Sequence, residues 1–186
     1  YDAYQAGFET VVIIIKEATE GYETVEPIII QGHLDMVGDK VPECPIDMEK
    51  EHIQIMVDGD YITADGTTLG GDDGIAVAYG LALLDAKDIP HPRLEVVITI
   101  DEETGMDGAY AIDLSMLKGK KMLNIDSDEE GVFLTSCAGG TAVKALIPVK
   151  RNVEEGVVVN VKVEGLFGGH SGGEIHKERG NASILM

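Results

Sequence analysis

Basic residues are scarce in this chain. Lysine and arginine number 14 against 34 aspartates and glutamates, which leaves a formal net charge of −20. Such a field repels phosphate backbones and anionic headgroups, so it argues against nucleic acid or a membrane surface as partner and is compatible with bound cations. Cysteine is scarcer still. Cys44 and Cys137 are too few and too far apart for a disulfide framework, and neither sits in a zinc-type cysteine spacing. Both read as ordinary thiols of a reducing compartment, and a cytoplasmic location is the expectation. No apolar run reaches the length of a membrane span, no signal peptide is visible, and there is no internal repeat or low-complexity tract. The chain opens on Tyr1 rather than Met and closes on Ser183-Ile184-Leu185-Met186, the opening of a helix, so we expect both ends to be cut from a longer polypeptide.

What is present is organised around Leu94-Glu95-Val96-Val97-Ile98-Thr99-Ile100-Asp101-Glu102-Glu103-Thr104-Gly105. A β-branched apolar run closed by carboxylates and a glycine reads as a buried strand that delivers acids to its carboxyl end, where an α/β sheet keeps its chemistry. Adjacent carboxylates repel, and a divalent cation or a flanking positive charge is the usual remedy. A solvated acidic turn is the plain alternative. The same grammar returns in Ile28-Ile29-Ile30-Gln31-Gly32-His33-Leu34-Asp35 and in Met122-Leu123-Asn124-Ile125-Asp126.

Around these runs, Val11–Ile15 reads as another buried strand, and Asp58-Gly59-Asp60 between Ile53–Val57 and Tyr61–Thr63 as a hairpin turn. Gly66 to Gly74 leads into Ile75–Leu84, apolar and too long for one strand, hence a buried helix. A phosphate loop is the competing reading of that entry, but it lacks the Lys-Ser/Thr ending and carries two acids. A polar helix is expected over 106–117, a strand ending at Asp126, and further strands at Val132–Leu134, Ala142–Leu146 and Val157–Val163. Strands alternating with helices predict an α/β core with a mixed, mainly parallel central sheet flanked by helices. The last strand predicts the start of a smaller α+β unit.

His33, Asp72, Glu103 and Asp126 are donor types that zinc accepts, and a two-metal site needs one carboxylate shared between the ions. Glu102, beside Glu103, would be free to act as general base, and Asp35 could accept the other imidazole N–H of His33. His52 and His91 have no partner pattern and read as surface residues. Asp73, Asp107 and Asp128 read as capping or solvated acids.

In this order the signals resemble the co-catalytic zinc exopeptidases, and within them the aminoacyl-histidine (Xaa-His) dipeptidase family. The motifs that carry the likeness are Gln31-Gly32-His33-Leu34-Asp35-Met36-Val37, the Gly66 to Gly74 segment, Asp101-Glu102-Glu103-Thr104-Gly105-Met106-Asp107-Gly108-Ala109, Leu123-Asn124-Ile125-Asp126-Ser127 and Ser136-Cys137-Ala138-Gly139-Gly140. Gly168-Gly169-His170-Ser171-Gly172 with Arg179-Gly180-Asn181-Ala182 is the sixth. The resemblance implies that His33 and Asp126 hold one zinc and Glu103 the other, with Asp72 bridging, Glu102 as base, Asp35 as partner of His33, and His170 as a substrate-binding lid histidine. It also implies a cis peptide between Asp72 and Asp73.

The same resemblance implies a catalytic domain over 1–139, a truncated lid or dimerisation domain over 140–186, a small peptide substrate and a homodimer formed through the lid. Cobalt or manganese could replace zinc. Members of the family are more than twice as long and take a further histidine on the second ion, so the polypeptide as given is expected to bind that ion poorly and to be inactive. A tripeptidase or N-acyl amino acid deacylase is the neighbouring alternative, and a non-catalytic metal-binding or dimerisation module is the alternative from another class.

Overall fold

Leu94–Thr99, with all six residues buried, is the strand from which the fold is best understood. In the computed structural model, which describes residues 2–5, 11–127, 129–137, 139–169 and 173–186, the chain divides into two units, Tyr1–Glu130 and Gly131–Met186. The first unit holds strands β1 (Asp2–Gln5), β2 (Val12–Lys16), β3 (Ile28–His33), β4 (Ile55–Asp58), β5 (Tyr61–Ala64), β6 (Leu94–Thr99) and β7 (Lys121–Asn124), with helices α1 (Gly71–Asp85) and α2 (Asp107–Ala111).

Five strands form one sheet in the order β1-β2-β6-β3-β7. The β3–β6 and β3–β7 pairs are parallel, while β1–β2 and β2–β6 are antiparallel, so only β2 opposes the rest. The mixed, mainly parallel α/β sheet expected from the alternation is therefore the fold. Parallel strands need crossovers, and the β3-to-β6 crossover supplies α1 on one face. Successive side chains point to opposite faces. Ile30, Val96 and Ile98 meet Leu84 and Val77 of α1, while Ile13, Ile15, Ile29 and Val97 meet Ile112, Met116 and Leu117 on the other side. Each fully buried side chain of this size contributes roughly 1.5–3 kcal/mol.

The hairpin is where the Asp-Gly signal put it. β4 and β5 pair antiparallel with Asp58 opposite Tyr61, and Gly59 takes φ +60 in the two-residue turn. The polar helix is shorter than expected. It ends at Ala111 because Ile112 turns extended, and the segment beyond is held by the Ser115 N–H donating to Asp113 Oδ1 (2.9 Å) while Met116 and Leu117 pack on the sheet. His91 is a correction as well: it is buried, not superficial, its main-chain N–H donating to the Thr19 hydroxyl (2.9 Å) and its Nδ1 meeting the Pro92 carbonyl (2.7 Å).

One acid is placed inside the core. Glu95, 0% exposed, accepts from Arg93 Nε (2.8 Å) and from the main-chain N–H groups of Lys118 (3.0 Å) and Gly119 (2.9 Å). Arg93 also pairs with Glu17. Burial alone would raise the Glu95 carboxyl, but the Arg93 charge and the two N–H donors outweigh it and hold it below the usual carboxylate range. This arrangement ties the amino end of β6 to the loop entering β7.

The second unit differs from expectation. Residues 132–134, 142–146 and 157–163 form no strand, and their apolar side chains, Val143, Leu146 and Val157 among them, are exposed. A β-branched run becomes a strand only when a neighbour accepts its ladder, and among the described residues of this unit none pairs. Among its described residues the regular elements are a 3₁₀ turn at Ile175–Lys177 and the short α3 (Ala182–Leu185), capped by Asn181 Oδ1 accepting from the N–H groups of Ser183 (2.9 Å) and Ile184 (3.3 Å). No helix of the described residues is long and apolar enough to cross a membrane.

Candidate metal centre

Because β3 lies between β6 and β7 and all three run the same way, their carboxyl ends emerge side by side. His33 ends β3 opposite Thr99, Asp101 to Glu103 follow β6, and Asp126 stands two residues past Asn124, which pairs with Gln31. A row of side-chain hydrogen bonds crosses the three strands just below: Asn124 Nδ2 donates to Gln31 Oε1 (2.6 Å) and Gln31 Nε2 to Thr99 Oγ1 (3.3 Å). The amino end of α1 brings Asp72 and Asp73 to the same rim. Neither has helical dihedrals, and the peptide bond between them is cis, as the family resemblance implies.

His33 is at the centre and 1% exposed. Its Nδ1 lies 2.9 Å from the main-chain carbonyl of Asp35, an oxygen that can only accept, so Nδ1 carries a hydrogen. The carboxylate of Asp35, expected to be that partner, stands farther off at 3.4 Å and accepts from the Glu103 N–H instead (3.2 Å). Among the described residues the other ring nitrogen, Nε2, faces carboxylates: Asp72 Oδ1 at 3.0 Å, Glu102 Oε2 at 3.9 Å and Asp126 Oδ2 at 3.9 Å. With Nδ1 already protonated, a neutral ring would set the Nε2 lone pair against the Asp72 oxygen. A second proton or a cation must lie between them.

The same frustration governs the titrations. Burial disfavours the charged imidazole, but the Asp72 hydrogen bond and the Asp126 and Asp35 charges more than compensate and raise His33. Burial, with the neighbouring acids, raises Glu102 and Asp126 against the pull of His33. Asp35 goes the other way: burial would raise it, yet the N–H groups of Glu103 and Glu102 hold it low.

Donor atoms from His33, Asp72 and Glu103 all lie within 4.8 Å of one another, as do those from His33, Asp73 and Asp126. The five acids and the histidine singled out in the sequence, His33, Asp35, Asp72, Glu102, Glu103 and Asp126, are thus brought to one rim. The buried Asp35 Oδ1 and Asp73 Oδ1 find no hydrogen-bond partner among the described residues. Carboxylate and imidazole donors converging with orphaned oxygens fit a divalent cation. His170 and Asp128 lie outside the described residues. Sequence reasoning missed Asp73, which is 1% exposed rather than solvated; its only signal was its place in the doubled Asp72-Asp73. Arg179 is engaged elsewhere, with Glu174 at 3.1 Å, and His176 is exposed.

No family model matches the chain. It is 41% identical over 177 residues to the cytosol non-specific dipeptidase of Escherichia coli K12, an alignment that takes in 94% of this chain and 36% of that protein. Its structure is similar to that of aminoacylhistidine dipeptidase from Vibrio alginolyticus, with a TM-score of 0.63 and 45% identity over 65% of this chain and 25% of the other. An aminopeptidase from Bacillus cereus follows, with a TM-score of 0.50 and 33% identity over 64% of this chain and 30% of the other. The chain therefore spans little more than a third of the curated relative's length. An identity of 41% sustained over nearly the whole chain, on a sheet shared with a solved dipeptidase, is more than common architecture can supply: the chain is similar to the cytosol non-specific and aminoacylhistidine dipeptidases.

Proposed function

We propose that this chain carries most of the metal site of a zinc dipeptidase, and that the whole protein hydrolyses dipeptides of the Xaa-His type, such as β-alanyl-histidine. The observation that carries the metal reading is the imidazole of His33, with Nδ1–H committed to the Asp35 carbonyl and Nε2 held 3.0 Å from Asp72. His33, Asp72 and Asp126 would hold one ion, and Asp72 and Glu103 would contribute to a second. Zinc bound there supplies Lewis acidity toward a peptide carbonyl and toward water.

The chain's own part is proton traffic and orientation. Glu102 Oε2 faces the gap beside His33 Nε2, and its raised affinity for protons suits a base that must take a proton from water and give it back. As the water oxygen bonds to the carbonyl carbon, Glu102 accepts the proton; as the C–N bond breaks, it passes the proton to the leaving amine. Asp35 fixes the ring of His33 through its carbonyl and the Glu103 main chain through its carboxylate. His170 would bind substrate. The domains would be a catalytic unit over 1–139 and a lid over 140–186 through which the whole protein dimerises, working in the cytoplasm, in keeping with the name of the Escherichia coli relative.

The dipeptidase reading is favoured over an aminopeptidase or tripeptidase by the higher identity to the dipeptidases. The test is a zinc titration by calorimetry together with an assay on β-alanyl-histidine. The chain by itself should take up one ion tightly and turn over little substrate. In the whole protein, Glu102→Gln should keep its zinc and lose about 10²–10⁴-fold in turnover, the range of a general base. Turnover left intact by that change would sink the assignment of Glu102.

A further inference from the structure

The residue that sits behind the cluster without belonging to the proposed ligands is Asp73. It is 1% exposed, and its Oδ2 accepts the main-chain N–H of His33 at 3.2 Å while Asp72, the residue before it, reaches the ring of the same histidine at 3.0 Å. Two successive carboxylates thus hold one histidine at both ends, the buried one by its backbone and the exposed one, with a side chain 72% exposed, by its imidazole.

The space for the buried carboxylate is made by Gly32. A Cβ at that position would stand 2.5 Å from Asp73 Oδ2 and 2.3 Å from the Ala76 Cβ, contacts that no side chain can make without moving α1 off β3. Asp73 is therefore enclosed between the start of α1 and the tip of β3, where a side chain controls how the two elements meet.

We propose that Asp73 is a positioning residue for the cluster: by accepting the His33 N–H in the gap left by Gly32, it fixes where the His33 ring stands relative to Asp72. This rests on the metal-site reading only in what the ring is positioned for. The hydrogen bond needs an acceptor and not a charge, so an asparagine can replace the aspartate and an alanine cannot. Groups that orient a ligand from behind are commonly worth 10–100-fold in metal affinity.

The test compares Asp73→Asn, Asp73→Ala and Gly32→Ala with the unaltered full chain, using the His33 ring nitrogen resonances in the absence of metal and a Co²⁺ titration followed by the visible spectrum. Asp73→Ala and Gly32→Ala should shift the ring resonances, weaken Co²⁺ binding by about 10–100-fold and change the shape of the cobalt bands. Asp73→Asn should keep both the resonances and the spectrum and bind within about threefold of the parent. Ring resonances unmoved in Asp73→Ala would overturn the proposal, and so would an Asp73→Asn variant as damaged as Asp73→Ala, since the charge would then matter and not the acceptor. Asn is the change least able to disturb the fold, so it decides the matter even where Asp73→Ala does not fold. Shifted resonances in a chain that binds no Co²⁺ at all would support the role of Asp73 and overturn the metal reading instead.

Discussion

The two ends of β6 solve opposite problems with the same kind of residue. At the amino end Glu95 is buried, yet Arg93 and two main-chain N–H groups satisfy it and its carboxyl is held low. At the carboxyl end Glu102 and Glu103 meet Asp72, Asp73 and Asp126 around one imidazole, and among the described residues no lysine or arginine pairs with any of them. A buried charge with a built-in partner holds structure together. A crowd of acids without one spends stability and leaves room for a cation, which is the physical difference between a staple and a site.

The contrast is broken most severely at its stable end. Glu95→Ala leaves Arg93, largely buried, without its main partner and frees the Lys118 and Gly119 N–H groups; we expect a loss of about 3–5 kcal/mol in urea unfolding. A loss under about 1 kcal/mol would mean that the amino end is no staple. At the other end an ion should do what Arg93 does for Glu95. Zinc at a hundred times its dissociation constant should stabilise the chain by about 2.7 kcal/mol, and no shift in melting temperature at saturating zinc would count against a site.

pH separates the ends without mutation. Glu95 has a lowered folded-state pKa, so its contribution is present above the unfolded carboxylate value of about 4.3 and is lost as pH falls through the lower folded value. Glu102 and Asp126 are raised, and burial beside Asp126 pushes Asp73 up to about 6 against the His33 N–H. These groups take up protons more readily folded than unfolded, so stability grows as pH falls through their folded values. His33, also raised, adds stability that is present at low pH and lost as pH rises through its folded value. The metal-free chain should therefore be most stable near pH 5, losing on the order of 1–3 kcal/mol toward pH 8. Saturating zinc should flatten that alkaline limb, and Glu95→Gln should blunt the acid one. A metal-free profile that rises steadily to pH 8 would remove the premise of a crowded end.

The gentlest probe is the row beneath the site. Gln31→Met keeps the shape of the side chain but removes its bonds to Asn124 and Thr99, and it should cost about 1 kcal/mol in the same unfolding assay.

Much of the sheet was legible because buried parallel strands announce themselves as β-branched runs, and β3, β6 and the hairpin turn stand where those runs and the Asp-Gly pair put them. The same signal misled at Val157–Val163, where the run has the composition of a strand and no ladder among the described residues. Spacing from strand ends was enough to bring His33, Glu103 and Asp126 to one rim, because each lies at or within a few residues of the carboxyl end of one of three parallel neighbours. It could not say which of Asp72 and Asp73 turns inward, since that depends on backbone dihedrals at the entry to α1. Nor could it find that the Asp35 main chain, and not its carboxylate, receives the His33 N–H, because a carbonyl is common to every residue.

The strand order has a consequence for synthesis. With β3 between β6 and β7, the clustered side chains enter the growing polypeptide as His33, Asp72, Glu103 and lastly Asp126, and the described sheet that gathers them is finished once β7 has slid in beside β3. His33, Asp72 and Asp126 are all on hand when residue 126 clears the ribosome. A cation taken up there would bind before residues 131–186 are complete.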